Sequence, residues 1–210
     1  MPKQRPLTPT LLAKAALAVM EREGPGGPGL SMRAVAEELG MGTMSLYRYV
    51  QSRDQLEALV IDLVLDPAQG GPDLDISRTK TWVDKATELA RRAHAVGTAH
   101  PALTPLLLAR RHASIHSLRW GEALLGVLAE AGFAGERRAI AFRTIVAYVF
   151  GAVQLQQLGP LGGKGTAAVA ALPREDFPLL ADTGKSARKI APDAEFLSGL
   201  RLVLRGIAAK

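Results

Sequence analysis

The chain has 210 residues, 48% of them hydrophobic and 5% aromatic, enough to bury a core in one large domain or two small ones. The absence of cysteine excludes disulfides, thiolate metal sites and cysteine nucleophiles, and suits a reducing cytoplasm. A net charge of +6 points to an anionic partner, yet bulk charge singles out no region: residues 1–53 carry seven Lys/Arg against four Asp/Glu, 54–66 four acids and no base, and the rest nineteen bases against twelve acids.

Lys3 and Arg5 precede an apolar stretch, but Lys14 interrupts it and Glu21-Arg22-Glu23 stands where a signal cleavage site would lie, so the segment reads as a first helix. Thr8 can cap this helix with Pro9 at its first position and Leu7 stapled onto Leu12, and Gly24 ends it. After a Gly/Pro loop at 24–29, Ser31 caps a second helix, Leu30 staples onto Val35, and Gly40 is its stop. A short third helix is expected at about 43–50. A fourth opens with the capping box Ser52-x-x-Gln55 and aligns Leu56, Leu59, Val60, Leu63 and Val64 on one face.

The Gly-, Pro- and Asp-rich segment 66–75 then divides the chain into expected domains 1–66 and 67–210. Beyond it the apolar period predicts helices at about 77–97, 101–110, 113–131, 136–158 and 193–208, with a long irregular segment at 159–192 that holds at most one short helix near 174–181. No alternating strand pattern occurs, so the fold class is all-α. The longest apolar run, Thr144 to Val153, falls short of the roughly 20 residues of a membrane span.

The second helix, a Gly-containing turn and the short third helix form a helix-turn-helix pattern, whose second helix can enter the DNA major groove. At about 100° per residue, Leu46 and Val50 share the side that packs inward, Met44 and Arg48 point away with Ser45 beside them, and Tyr47 and Tyr49 flank the outward face. Arginine can bond guanine in bidentate fashion, methionine can touch a thymine methyl, and tyrosine hydroxyls can reach phosphate. Arg33 and Arg53, in the first turns of the second and fourth helices, suit phosphate contacts, and Lys3 and Arg5 suit a basic arm.

Leu30 to Val60 resembles the DNA-binding domain of the TetR family of bacterial transcriptional repressors. The resemblance rests on the capped second helix, Ala36-x-x-Leu39-Gly40, Leu46-Tyr47, the aromatic Tyr49 and the basic Arg53 opening the fourth helix. Looser likeness to a tetracycline-repressor-type C-terminal domain lies in His100 to Leu103, Glu130 to Phe133 and Glu195 to Ile207. The resemblance implies an N-terminal DNA-binding domain and a C-terminal helical domain that binds an effector and dimerises. It implies a homodimer on a palindromic operator in double-stranded DNA, with Arg33, Thr43, Met44, Ser45, Tyr47, Arg48, Tyr49 and Arg53 at contact positions. It also implies an effector pocket within the fifth to eighth helices, whose occupancy reaches the DNA through the fourth. The acidic side of the fourth helix fits such a connector and equally fits a solvated face.

For the dimer, Phe196, Leu200, Val203 and Ile207 recur at helical spacing, and the helix at 136–158, with Val146 and Phe150, is apolar nearly all round. For a largely apolar effector, the candidate contacts are Trp82, His116, Trp120, Phe142, Arg143, Tyr148 and Gln154; Arg143 in an apolar helix needs a partner that a ligand anion would supply. His112 and His116 have metal-ligand spacing but no third ligand, and Gly162 to Thr166 departs from the phosphate-loop pattern, so no metal or cofactor is expected. No catalytic grouping stands out, and the expectation is a ligand-released transcriptional regulator, not an enzyme. An all-α protein-interaction module and a small helical enzyme acting on a ligand of the fifth to eighth helices are the alternatives.

Overall fold

The structure is a computed structural model and describes residues 7–24 and 29–209. These hold α1 (Pro9–Glu23), α2 (Met32–Glu38), α3 (Thr43–Leu46), α4 (Arg53–Leu65), α5 (Trp82–Ala99), α6 (Thr104–Ala109), α7 (Ile115–Glu130), α8 (Gly135–Leu158), α9 (Lys164–Ala170), α10 (Pro178–Ala187) and α11 (Pro192–Ala208), with no strand among the described residues. Backbone packing groups the chain into two compact units. One comprises residues up to 75 with 95–123, the other 76–94 with 124–210, so the division falls within α5 and α7.

In the first unit α1 packs on α2 and α4, α2 on α3, and α6 on α4. The helix starts follow their caps: Thr8 Oγ1 accepts from the Leu11 amide at 3.2 Å, Ser31 Oγ from Ala34 at 3.3 Å, and Ser52 Oγ from Gln55 at 3.2 Å. Gln55 reaches back to the amide of Gln51, one residue before the expected partner. Gly40, at φ +65°, lets the Met41 amide bond the Ala36 carbonyl, a Schellman closure that turns the chain into α3. Leu12, Ala16, Val19, Val35, Ala36, Leu46, Leu56, Val60 and Ile61 are buried between these helices. Three small residues of α1, Ala13, Ala15 and Ala16, are buried beside larger ones, which lets α1 and α4 approach closely.

Two expectations need correction here. The third helix ends at Leu46; Arg48 and Tyr49 continue it only as tight turns, their amides bonding the carbonyls three residues back, Ser45 and Leu46. Tyr47, Tyr49 and Val50 are weaker helix formers than straight-chain residues, and the cap of the next helix follows at Ser52. The fifth helix begins at Trp82 rather than 77, because Thr81 and Asp84 form a side-chain cap: the Asp84 amide donates to Thr81 Oγ1 at 3.1 Å and the hydroxyl donates to Asp84 at 2.7 Å.

In the second unit α8 packs on α11 and α9 on α10. The buried residues of α8 are Ala141, Ile145, Val149 and Val153, one per turn, and they meet Phe196, Leu200 and Leu204 of α11. Tyr148 donates to the Phe196 carbonyl at 2.8 Å, and its ring lies so close to Gly199 that a Cβ there would sit 3.0 Å from Tyr148 Cζ. The helix pair α9–α10 replaces the expected irregular segment. Its contact is made by small residues: a Cβ on Gly184 would lie 2.9 Å from the Ala170 amide nitrogen, and Ala170 and Ala181 are buried. Alanine and glycine carry little hydrophobic periodicity, so the sequence hides this pair. Residues 162–163, read as loop, lead into the N-terminus of α9, and Lys164, Gly165 and Thr166 are helical.

Among the described residues α8 is the one helix long and apolar enough to cross a membrane, although the apolar run within it is short. Its inner stripe is covered by α11, whereas Ile140, Leu155 and Leu158 are exposed.

Candidate nucleic-acid interface and effector core

The sequence of α3 sorts its side chains as the helical period requires. Leu46 and Val50 are fully buried, Met44 is 80% exposed, Tyr47 and Tyr49 are 43% and 45% exposed, and Arg48 is exposed. Thr43 and Ser45 lie half-buried beside them. The apolar anchors hold the backbone while the adjoining positions present one guanidinium, two phenols and a thioether. Arg48 makes no ion pair among the described residues, so its whole charge is available to an incoming anion.

The other two arginines differ. Arg33 donates through Nε to Glu37 at 2.8 Å, an exposed i,i+4 pair that raises its pKa, first through the hydrogen bond and then through the charge. Arg53 donates through Nε to Glu57 at 2.7 Å, which leaves its two terminal nitrogens out of that pair; its side chain is 52% exposed, whereas that of Glu57 is 7% exposed. The second oxygen of Glu57 accepts from Arg110 Nε at 3.1 Å, and Arg110 also pairs with Asp54. Further along α4, Asp62 accepts from the buried Ser114 hydroxyl at 2.6 Å, and Ser114 in turn caps Ser117. The acidic side of α4 is therefore bonded to the turn between α6 and α7 rather than fully solvated. Lys3 and Arg5 lie outside the described residues.

Sequence reasoning singled out Arg33 and Arg53 without their carboxylate partners. The spacing Arg33-Glu37 and Arg53-Glu57 was a visible signal, since i,i+4 neighbours meet on a helix. Arg110 was not visible: 53 residues separate it from Glu57, and no local pattern announces it.

The expected effector contacts do not form one set. Trp82 packs edge-on against Phe133 at 5.4 Å, and Tyr148 stacks on Phe196 at 5.7 Å. Phe142 is half-buried, but Arg143 and Gln154 are exposed on α8, so Arg143 meets solvent and needs no ligand anion. Helix α8 turns only one stripe inward, and these two residues lie off it. His116 and Trp120 are half-buried in the first unit. No group of three potential metal ligands occurs among the described residues.

Of the expected dimer contacts, Phe196 and Leu200 are buried within this chain against α8, because both lie on the stripe that faces Ile145 and Val149. Val146, Phe150, Val203 and Ile207 remain half-buried. Another residue missed is His94, which is buried and stacked on Phe196 with ring centroids 3.9 Å apart. Burial lowers its pKa from the usual imidazole value, against a Gln156 hydrogen bond and the charge of Asp193 that pull it up. An open groove in the second unit is lined by Phe133, Glu136, Arg137, Ile140, Ala141 and Ile207, with the Arg137 guanidinium 4.7 Å above the Phe133 ring.

Residues 77–210 match the family described as tetracyclin repressor-like, C-terminal domain. The chain belongs to the TetR family. It is 33% identical over 150 residues to the HTH-type transcriptional repressor DrrR1 of Streptomyces coeruleorubidus, a match covering 71% of this chain and 54% of that protein, so the chain spans about half the length of that relative. It is 27% identical over 215 residues to the tetracycline repressor protein class A from transposon 1721 of Escherichia coli, covering 97% of this chain and 92% of the other. Among solved TetR folds, apo ActR from Streptomyces coelicolor superposes with a TM-score of 0.79 at 25% identity, covering 97% of this chain and 96% of ActR. That full-length likeness agrees with the all-α fold described above.

Proposed function

We propose that this TetR-family chain is a ligand-responsive transcriptional repressor that binds a palindromic operator as a homodimer and leaves it when a small, largely apolar effector binds. The observation that carries this reading is the surface of α3 and the turns after it: Met44, Tyr47, Arg48 and Tyr49 are exposed above the buried Leu46 and Val50, and Arg48 makes no ion pair among the described residues. A repressor and a tetracycline repressor among the relatives support the same conclusion, as does the capture of ActR with actinorhodin.

In this reading Arg48, with Met44, Thr43 and Ser45, meets base edges. Arg33, Tyr47, Tyr49 and Arg53 meet phosphate and fix the register. Residues 1–66 are the DNA-binding domain and 67–210 the effector and dimerisation domain. Two copies place their α3 elements about one DNA turn apart. The exposed Ile140, Leu155 and Leu158 of α8 and Leu202 of α11, with the half-buried Val146, Phe150, Val203 and Ile207, supply the surface for a second copy. Two aromatic groupings in the second unit, Trp82 with Phe133 and Phe196 with His94 and Tyr148, are mostly apolar with few polar groups, the lining an effector site requires. Such a regulator acts in the cytoplasm, without cofactor and without catalysis.

The test compares two substitutions on specific and random duplex across a salt series. Arg48→Ala relaxes sequence preference, whereas Arg53→Ala weakens binding alike on all DNA and lowers the salt slope by about one per subunit. Equal effects of both changes on both duplexes reject the division of roles.

A further inference from the structure

Arg53 is the proposed phosphate contact with the most constrained surroundings. Its Nε is committed to Glu57, and Nη2 runs past Gly29, where a Cβ would lie 2.9 Å away. Only the terminal nitrogens remain for an outside anion. Water screens Glu57 little, since 7% of its side chain is exposed, and alone this carboxylate would offset the Arg53 charge as seen by a phosphate.

Arg110 changes this balance. It occupies the other oxygen of Glu57 at 3.1 Å and also pairs with Asp54, so Arg53, Arg110, Glu57 and Asp54 form one cluster of zero net charge at the N-terminus of α4. Without Arg110 the same cluster is anionic. Its position within a screening length of about 10 Å of any phosphate held by Arg53 would then repel a polyanion. Asp54 is largely solvated, with 65% of its side chain exposed, so Glu57 is the acid whose neutralisation matters most.

We propose that Arg110 is a positioning residue of the DNA interface: by neutralising Glu57 it leaves the Arg53 guanidinium oriented by that carboxylate yet still attractive to phosphate. Arg110 itself need not touch DNA. Because it follows directly on α6, any movement of that helix end relative to α4 changes how much of the Glu57 charge falls on Arg53. The inference rests on the reading of Arg53 as a phosphate contact.

The experiment measures duplex binding by the full-length protein over a salt series for Arg53→Ala, Arg110→Gln, Glu57→Gln and the double variant Glu57→Gln/Arg110→Gln. Arg110→Gln is expected to weaken binding to random duplex roughly tenfold at low salt and to lower the salt slope by about one per subunit, as Arg53→Ala does. The double variant is expected to return the slope to the wild-type value, since removing the acid makes its neutraliser unnecessary. A merely structural role predicts the opposite, with the double variant as weak as Arg110→Gln or weaker, and that result overturns the proposal. So does an unchanged slope in Arg110→Gln while Arg53→Ala lowers it, which leaves the phosphate contact standing. An unchanged slope in Arg53→Ala removes the contact itself and the inference with it. Should Arg110→Gln not fold, the double variant decides alone: a wild-type slope supports the charge balance and a lowered one rejects it.

Discussion

The helix-turn-helix segment and the α8–α11 pair use apolar residues in different ways. In α3 and the turns that follow it the exposed large side chains are Met44, Tyr47 and Tyr49, and two of these three end in a hydroxyl; in α8 and α11 they are Ile140, Leu155, Leu158 and Leu202, all aliphatic. A surface of phenols and an arginine can meet hydrated phosphate without loss, whereas aliphatic surface gains only by meeting more aliphatic surface. The first therefore reads as a nucleic-acid face. The second suits a protein face, and in the proposed homodimer an isologous copy of the chain would supply it at no cost in new sequence.

Paired substitutions one turn or less apart can break this contrast. The largest effect is expected from Leu200→Ala, which empties a fully buried site and should lower unfolding stability by about 2–5 kcal/mol in denaturant titration. Leu202→Glu, on the exposed side of α11, should leave that stability nearly unchanged while shifting the protein from dimer to monomer in a sedimentation dilution series. If Leu200→Ala alters association alone, the assignment of Phe196 and Leu200 to this chain's own core is wrong. Next comes Gly199→Ala, whose methyl meets the Tyr148 ring and threatens the hydroxyl bond to Phe196; a loss of about 1–3 kcal/mol is expected, against about 1 kcal/mol for Tyr148→Phe.

Acidification gives smaller effects. His94 has a lowered folded pKa, so its neutral form contributes stability fully at pH above the ordinary imidazole value of about 6.5 and loses it as pH falls through the lowered value. Wild-type unfolding stability should therefore decline on acidification below neutrality more steeply than that of His94→Gln. Glu88, held to about 2 by the Arg91 hydrogen bond against some burial, with Arg92 assisting, has a depressed carboxyl pKa. Its contribution is present above about 4.5 and disappears as pH approaches 2; surface screening limits it to on the order of 1 kcal/mol. Glu88→Gln should flatten that part of the stability curve, with the loss of that contribution read near neutrality and little change near pH 2.

The N-terminal half was legible because its signals are local. Thr8, Ser31 and Ser52 cap where capping chemistry predicts, and Gly40 adopts the left-handed conformation its position requires. Leu46 and Val50 fell on the buried side even though α3 is shorter than its apolar period suggested. The α9–α10 pair was not legible, since Ala170, Ala181 and Gly184 pack through the lack of a side chain and leave no periodic trace. Nor was the Glu57–Arg110 contact, because a pairing across 53 residues is a property of tertiary structure alone. Apolarity on several sides of α8 marked it as a helix needing cover, but could not say which stripe the chain itself covers. That is why Arg143 and Gln154 fell on the exposed side and Phe196 and Leu200 in the core.

The most direct test of the central claim is selection of duplex DNA from a random pool by the full-length protein. The account predicts enrichment of an inverted repeat with half-sites about one helical turn apart, lost when Arg48→Ala is used in place of the wild type. Enrichment of no sequence over the starting pool, or of a single unrepeated site, would contradict it.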